Sequence, residues 1–408
     1  MTFEDAKNRD RDDPFAAHRD RFILPDGIIY LDGNSLGALP KAVPERMARV
    51  VRDEWGRDLI TSWNVHDWID LPRRVGDKLA PLIGAAPGTV MVADSTSINI
   101  FKMLAVALAR RPQRRVILTQ QGNFPTDIYM ANGLAALLGQ GHEVRQVPAD
   151  AIGDALHGDV AVLLLTEVNY RTGARLDMRA LTQQAHAAGA LTVWDLAHSA
   201  GAVPVDLTGA AADFAVGCGY KFLNGGPGAP AFAYAAPQYL DGLRQPLQGW
   251  LGHAAPFEFA ADYRPGEGID ALRVGSPPIL SMSALDEALN VYDGVDMVAL
   301  KAKADALFDL FVGELRKRAP ELEILTPLDA SRRGSQINLR HPEAYAVMQA
   351  MIARGVIGDF RQPDIIRLGL TPLYLRYEDV YRATEILGDI IARREWDRPE
   401  LKRRAKVV

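Results

Sequence analysis

The sequence predicts an α/β fold built on a mostly parallel sheet, followed by a smaller α+β unit. Three observations carry this. Between about Pro87 and Tyr234, short apolar runs alternate with helix-like stretches, and such alternation gives a parallel sheet covered by helices on both faces. Those runs are nearly continuous in apolar character, as strands buried on both faces require. From about Pro278 onward, long helical patterns dominate, with short strand candidates between them.

The elements follow in order. Val90-Met91-Val92-Ala93 reads as a strand and leads through Asp94-Ser95-Thr96-Ser97 into a helical run from Ile98 to Arg110. Val116–Thr119 and Val160–Leu165 are further strands. Met178–Ala188 is a helix stopped by Gly189, a residue free to take the left-handed turn that ends helices. Leu191–Trp194, Phe214–Gly217 and Ala231–Ala235 return as strands. Beyond them, Leu280–Val291, Met297–Ala319 and Tyr377–Arg393 have helical patterns, and Glu323–Leu325 and Ser335–Leu339 are short strands.

The 408 residues are 48% hydrophobic and 24% charged, with a formal charge of -5. That balance belongs to a globular protein and offers no basic surface for nucleic acid or anionic lipid. Cys218 is the only cysteine, which excludes an intrachain disulfide and suits a reducing compartment. Thr2–Arg21 is crowded with charge and lacks the apolar core of a signal peptide. No apolar run reaches the ~18 residues of a membrane span. The expectation is a cytoplasmic enzyme.

Chemistry concentrates at the predicted strand ends. Asp195 closes one strand and His198 follows it. Tyr220-Lys221 follows the next. An acid and a lysine so placed are what pyridoxal phosphate needs. The amine forms a Schiff base with the aldehyde, and the carboxylate keeps the ring nitrogen protonated. Upstream, Ser95, Thr96 and Ser97 offer hydroxyls and backbone N–H groups at a helix start, where a phosphate binds. Taken alone these are ordinary N-cap residues. Phe124, in Gly122-Asn123-Phe124-Pro125-Thr126-Asp127, can stack on a pyridine face or simply mark a turn. Gly225, Gly226 and Gly228 permit a tight return after the lysine. Cys218 reads as a small buried residue, and no metal-binding cysteine pair occurs. Sites in open parallel sheets form outside the carboxyl ends of strands, and these weak signals agree on one ligand.

At these residues the chain resembles the kynureninases, pyridoxal phosphate enzymes of fold type I. The segments that carry the resemblance span nearly the whole chain: Tyr30–Gly37, Asn123–Asp127, Trp194–Gly201, Tyr220–Asn224, Gly249–His253, Ser276–Leu280 and Arg367–Tyr374. It implies a large domain at 46–285 with a mostly parallel seven-stranded sheet, and a small α+β domain at 286–408. Residues 1–45 would pack on the small domain or on a partner subunit. It also implies site roles. Lys221 carries the cofactor. Asp195 pairs with the ring nitrogen, beside His198. Thr96 and Ser97 hold the phosphate with help from Tyr220. Phe124 stacks on the ring, and Pro125, Thr126, Asp127 and Thr166 surround it. Trp250 and Ser276 reach cofactor or substrate from the partner of a homodimer. Ser35 and Arg367 bind substrate, Arg367 through its α-carboxylate. Ser276 stands where the family carries Asn or Thr, with a hydroxyl that can still donate. Tyr220 is the candidate acid or base in later proton transfers.

The implied reaction is hydrolysis of L-kynurenine, or its 3-hydroxy form, to anthranilate or 3-hydroxyanthranilate and L-alanine in tryptophan degradation and NAD biosynthesis. Neither nucleic acid, membrane nor metal is expected. A cysteine desulfurase shares the lysine and acid but needs a mobile nucleophilic cysteine, and Cys218 lies only three residues before Lys221. A class V aminotransferase would need a keto-acid partner. An idle regulator of this fold would carry an added DNA-binding domain, for which the chain has no basic helix-turn-helix stretch.

Overall fold

A computed structural model describes residues 2–405. Its centre is a seven-stranded sheet. In spatial order the strands are Val90–Val92, Ala231–Ala235, Phe214–Cys218, Leu191–Asp195, Val160–Thr166, Val116–Gln120 and Glu143–Val147. All run parallel except Ala231–Ala235, which is antiparallel to both its neighbours. The exception has a local cause. A crossover helix joins most of the parallel strands, whereas a loop over residues 219–230 turns the chain straight back after Cys218. That loop carries Lys221. Its glycines bring backbones together: a Cβ on Gly219 would lie 2.5 Å from the Pro230 carbonyl oxygen.

The inner strands Val160–Thr166, Leu191–Asp195 and Phe214–Cys218 are buried at every residue. Helices Thr96–Ala109 and Pro125–Leu138 belong to the layer on one face, and Met178–Ala187 follows the Val160–Thr166 strand. The segment Asn123–Asp127, expected as a turn, opens the second of these helices instead, with Pro125 in its first turn, where a missing N–H costs nothing.

A second sheet follows the long helix Met297–Arg318. It is antiparallel throughout, in the order Glu323–Ile324, Gln336–Arg340, Ile365–Gly369 and Asp359–Arg361. Its register sets Asn338, Arg367 and Asp359 side by side across three strands, so their side chains share a face. Helices Ala344–Ala353 and Tyr377–Ala392 complete this layer.

The N-terminal segment crosses the C-terminal layer on its way to the large sheet. Helix Phe3–Arg11 meets helix Tyr377–Ala392, where Asp10 accepts from the Tyr377 and Glu378 N–H groups at 2.6 and 3.0 Å. Ile29–Tyr30 pairs in parallel with Val356–Ile357. The chain then reaches the lysine loop, and the Gly37 N–H donates to the Tyr220 carbonyl at 2.8 Å. Only a glycine permits that approach, since a Cβ there would lie 2.3 Å from the Lys221 carbonyl oxygen.

Candidate active site

The carboxyl ends of the parallel strands face the lysine loop, and the expected residues converge there. Lys221 Nζ lies 3.1 Å from His198 Nε2. It sits 5.8 Å from the centroid of the Phe124 ring and 5.7 Å from that of Tyr220. Phe124 is 40% exposed, so an aromatic face stands open beside the amine.

Two buried carboxylates lie below. Asp195 accepts from the Ala197 N–H at 2.8 Å. Burial pushes its pKa up, and the Lys221 charge pulls it back. Asp127 opens helix Pro125–Leu138 and accepts from Asn123 Nδ2 at 3.2 Å and from the Thr166 hydroxyl at 3.1 Å. Burial first, then the Asp195 charge, pushes its pKa well above the usual range. Its Oδ1 is buried with no hydrogen-bond partner among the described residues. Burial, reinforced by the Lys221, Arg367 and Arg361 charges, holds His198 well below the ordinary histidine value. It is a neutral imidazole at pH 7.

At the other end, two helix starts meet. Ser95 caps helix Thr96–Ala109, its hydroxyl accepting from the Ile98 N–H at 3.4 Å. Ser97 Oγ lies 3.3 Å from Thr126 Oγ1. Asp94 takes a left-handed φ of 51° just before the cap. The fully buried Lys102 holds its carboxylate, and also donates to the Leu272 carbonyl at 2.6 Å.

This donor set fits pyridoxal phosphate. It provides an amine for the aldehyde, an open aromatic face, converging hydroxyls and helix N–H groups for a phosphate, and buried acids for a ring cation. Two under-solvated carboxylates beside one amine otherwise lack a compensating positive charge.

Arg367 is fully enclosed. Its Nε and Nη2 bind Asp359 at 2.8 and 2.5 Å, Nη2 also meets Ser35 Oγ at 2.7 Å, and Nη1 donates to the Tyr170 carbonyl at 3.3 Å. Arg361, about one third exposed, shares Asp359 at 2.7 Å and donates to Ser35 at 3.3 Å. Asp32 lies behind. Burial and the Asp359 charge push its pKa up to about 8. The predicted Arg367 and Ser35 thus sit in one cluster whose open member is Arg361.

Trp250 and Ser276 are exposed, and among the described residues neither hydrogen-bonds to this cluster. Their loops pack on each other, since the Leu251 N–H donates to the Val274 carbonyl at 3.1 Å. Trp250 stacks on Phe259 with centroids 6.4 Å apart. Cys218 is buried, with Sγ 3.8 Å from the Ala197 carbonyl oxygen. Sequence reasoning missed Arg361, Asp359, Gln336, Tyr170 and Lys102. A polar residue within a short strand run was the available signal for Gln336, whereas Asp359 lies in the short strand Asp359–Arg361, which reads Asp-Phe-Arg and shows no such pattern. Tyr170 acts through its carbonyl and left none.

Comparison with known proteins agrees. The family pattern described as "Kynureninase C-terminal domain" matches residues 300–387. Kynureninase of Burkholderia pseudomallei (strain 1106a) is 51% identical over 415 residues, covering all of both chains. That of Deinococcus radiodurans is 55% identical over 389 residues, covering 94% of each. Among solved structures, the cysteine desulfurase CsdA of Escherichia coli matches with a TM-score of 0.75 at 20% identity, over 93% of this chain and 98% of that one. A mutant of C-DES with glycine covalently linked to its PLP cofactor matches with a TM-score of 0.75 at 17% identity, over 90% and 98%. These structures share the fold, and identity above one half along the full length shares more: the chain belongs to the kynureninase family.

Proposed function

We propose that the chain hydrolyses L-kynurenine, or its 3-hydroxy form, to anthranilate or 3-hydroxyanthranilate and L-alanine, with pyridoxal phosphate as cofactor. The observation that carries the reading is Lys221 placed 3.1 Å from a neutral His198, with Asp195 and Asp127 buried at the neighbouring strand and helix ends. When bound, the cofactor supplies an aldehyde for amines and a protonated ring that withdraws electrons from bonds at the substrate Cα.

The residues then divide the work. Lys221 anchors the cofactor, and its amine, once released, takes and returns the proton at the substrate Cα. Asp195 holds the ring proton by close opposite charge, and Asp127 with Thr166 supports it from the same side. Thr96, Ser97 and Thr126, with the helix N–H groups, hold the phosphate, helped by Tyr220. Phe124 covers the ring, and Pro125 fixes its entry into the helix. Arg367, supported by Ser35 and Arg361, takes the substrate carboxylate through a planar fork. Tyr220 serves as acid or base in the proton transfers that follow, and it starts as the acid, since burial keeps its hydroxyl protonated beyond the usual range.

We read residues 46–285 as the cofactor domain and 286–408 as the small domain, with 1–45 packed on the latter or on a partner. The reading includes a homodimer, supported by the exposed Trp250, Phe257 and Phe259, in which Trp250 and Ser276 reach the partner's site. It also includes a cytoplasmic place in tryptophan degradation, supported by a single cysteine in 408 residues. No helix among the described residues is long and apolar enough to cross a membrane.

The test is an absorption spectrum of purified protein, then L-kynurenine with anthranilate fluorescence followed. A visible cofactor band and anthranilate release are expected, and Lys221→Ala should lose both. No band after reconstitution overturns the cofactor reading; a band without release moves the reaction to another amino acid. Mixing inactive Lys221→Ala chains with Trp250→Ala chains should revive activity, because one site of the mixed dimer is then intact. No revival on exchange refutes the shared site.

A further inference from the structure

We infer that Gln336 is a positioning residue: its side-chain carbonyl accepts from Nδ1–H of His198, leaving Nε2 of that histidine as a bare lone pair facing Lys221. The inference rests on the site proposed above for its consequence, but on local geometry for its substance.

The orientation of the Gln336 amide is settled by its neighbours. Its Nε2 meets three acceptors: the Asn338 Oδ1 at 3.0 Å, the Tyr170 carbonyl at 3.3 Å and the Asn169 carbonyl at 3.4 Å. Asn338 is fixed in turn, because its Nδ2 donates to the Arg171 carbonyl at 2.8 Å and the Tyr170 carbonyl at 3.3 Å. Three acceptors around one atom require the amine of Gln336 there, so Oε1 points the other way. It is buried with no hydrogen-bond partner among the described residues, as is Nδ1 of His198. Gln336 lies near enough to the histidine to oppose the lowering of its pKa, and these two unpaired atoms are the ones left to meet. A carbonyl can only accept, so the histidine nitrogen facing it carries the proton. A buried, neutral imidazole has one proton. Nε2, 3.1 Å from Lys221 Nζ, is therefore the acceptor.

The consequence concerns proton traffic. A bare Nε2 accepts a hydrogen bond from the lysine and orients its remaining lone pair or proton. The opposite tautomer would donate to the amine instead and occupy the lone pair it needs to take a proton. Gln336 lies on the C-terminal sheet and His198 follows a strand of the large sheet, so the docking of the two layers sets the histidine's tautomer.

The experiment is nitrogen NMR on holoenzyme labelled with 15N-histidine. His198→Gln identifies the resonances among the eight histidines. At pH 7 the wild type should show Nδ1 protonated and Nε2 bare. Gln336→Leu should shift the population toward Nε2–H and lower kcat/KM about tenfold, the scale of one lost neutral hydrogen bond. Gln336→Glu, which keeps an acceptor, should retain the Nδ1–H form and raise the histidine's apparent pKa. A wild-type spectrum with Nε2 protonated, or a Leu variant with an unmoved tautomer, overturns the inference. If the Leu variant fails to fold, the wild-type spectrum alone decides. Absence of the cofactor band or of anthranilate release refutes the functional reading instead and leaves the tautomer measurement standing.

Discussion

Replacing Arg367 by alanine should cost the folded chain about 3 kcal/mol, and the loss should run through Asp359. Both side chains are 1% exposed and joined by two near-parallel bonds. Solvent therefore screens little, and removing one partner strands a charge. Breaking a buried pair this way costs ~3–5 kcal/mol. Arg361 still holds Asp359 at 2.7 Å in the variant, which places the value at the low end. Asp359→Ala leaves Arg367 its bonds to Ser35 and the Tyr170 carbonyl, with Asp32 within reach of its charge, so it should lose a similar amount. The double variant strands neither charge, and should be more stable than the sum of the single losses by about 2 kcal/mol.

The assay is equilibrium urea unfolding of the four proteins, followed by the fluorescence of the six tryptophans, with KM for L-kynurenine measured in parallel. The arginine variant should raise KM at least tenfold, since a charged hydrogen bond is lost. An Arg367→Ala protein that unfolds with the wild type, or a double variant whose loss equals the sum of the singles, would refute the pairing argument. An unchanged KM with the expected stability loss would leave Arg367 structural and hand the substrate carboxylate to Arg361.

Asp195→Asn should bind cofactor yet turn over roughly 100-fold more slowly, because a preorganised charge is removed; a rate within a few-fold of wild type ends that role. The folded chain holds the Asp32 proton more tightly than the unfolded chain, since its pKa is raised to about 8. Its contribution is thus fully present below about pH 4 and lost as pH rises to about 8. Asp32→Asn should therefore gain stability relative to wild type over that interval; parallel stability curves count against it. Gly37→Ala puts a Cβ 2.3 Å from the Lys221 carbonyl oxygen and 2.6 Å from the Asn224 Cα. Because these are backbone atoms, the lysine loop must shift, at ~1–3 kcal/mol and with a drop in turnover; a variant of wild-type Tm and rate shows the loop has room.

The strands that carry Asp195 and Thr166 were legible because burial on both faces makes them continuous apolar runs. Glu143–Val147 was not, because it is the sheet's edge, partly exposed, and reads Glu-Val-Arg-Gln-Val. Helix Ala344–Ala353 also escaped: it is buried nearly all round and shows no polar stripe to betray its period. Helix Pro125–Leu138 was hidden by the turn-like Gly122–Asp127. Lysine, acid and aromatic were readable because each sits at the end of an element. The arginine cluster was readable only in Arg367 and Ser35, because Asp359 meets Arg367 through strand register rather than through a motif.

The contacts between the two layers explain why so much of the site escapes motif reading. The carbonyls of Asn169, Tyr170 and Arg171 receive donors from Gln336, Asn338 and Arg367. All three donors project from adjacent strands of the C-terminal sheet, and all three acceptors are backbone. The acceptor side thus depends on where the loop after Thr166 runs, not on which side chains it bears. That loop leaves the strand whose last residue binds Asp127. The same short segment therefore fixes one end to the buried acids and the other to the arginine and glutamine of the second sheet. A change that moved Tyr170 by an ångström would disturb Arg367 and the Gln336 amide together. Variants of Gln336 and Asn338 should accordingly be non-additive with each other, and nearly additive with variants at Ser97, which sits beside Thr126 at the start of helix Thr96–Ala109 and shares none of their partners.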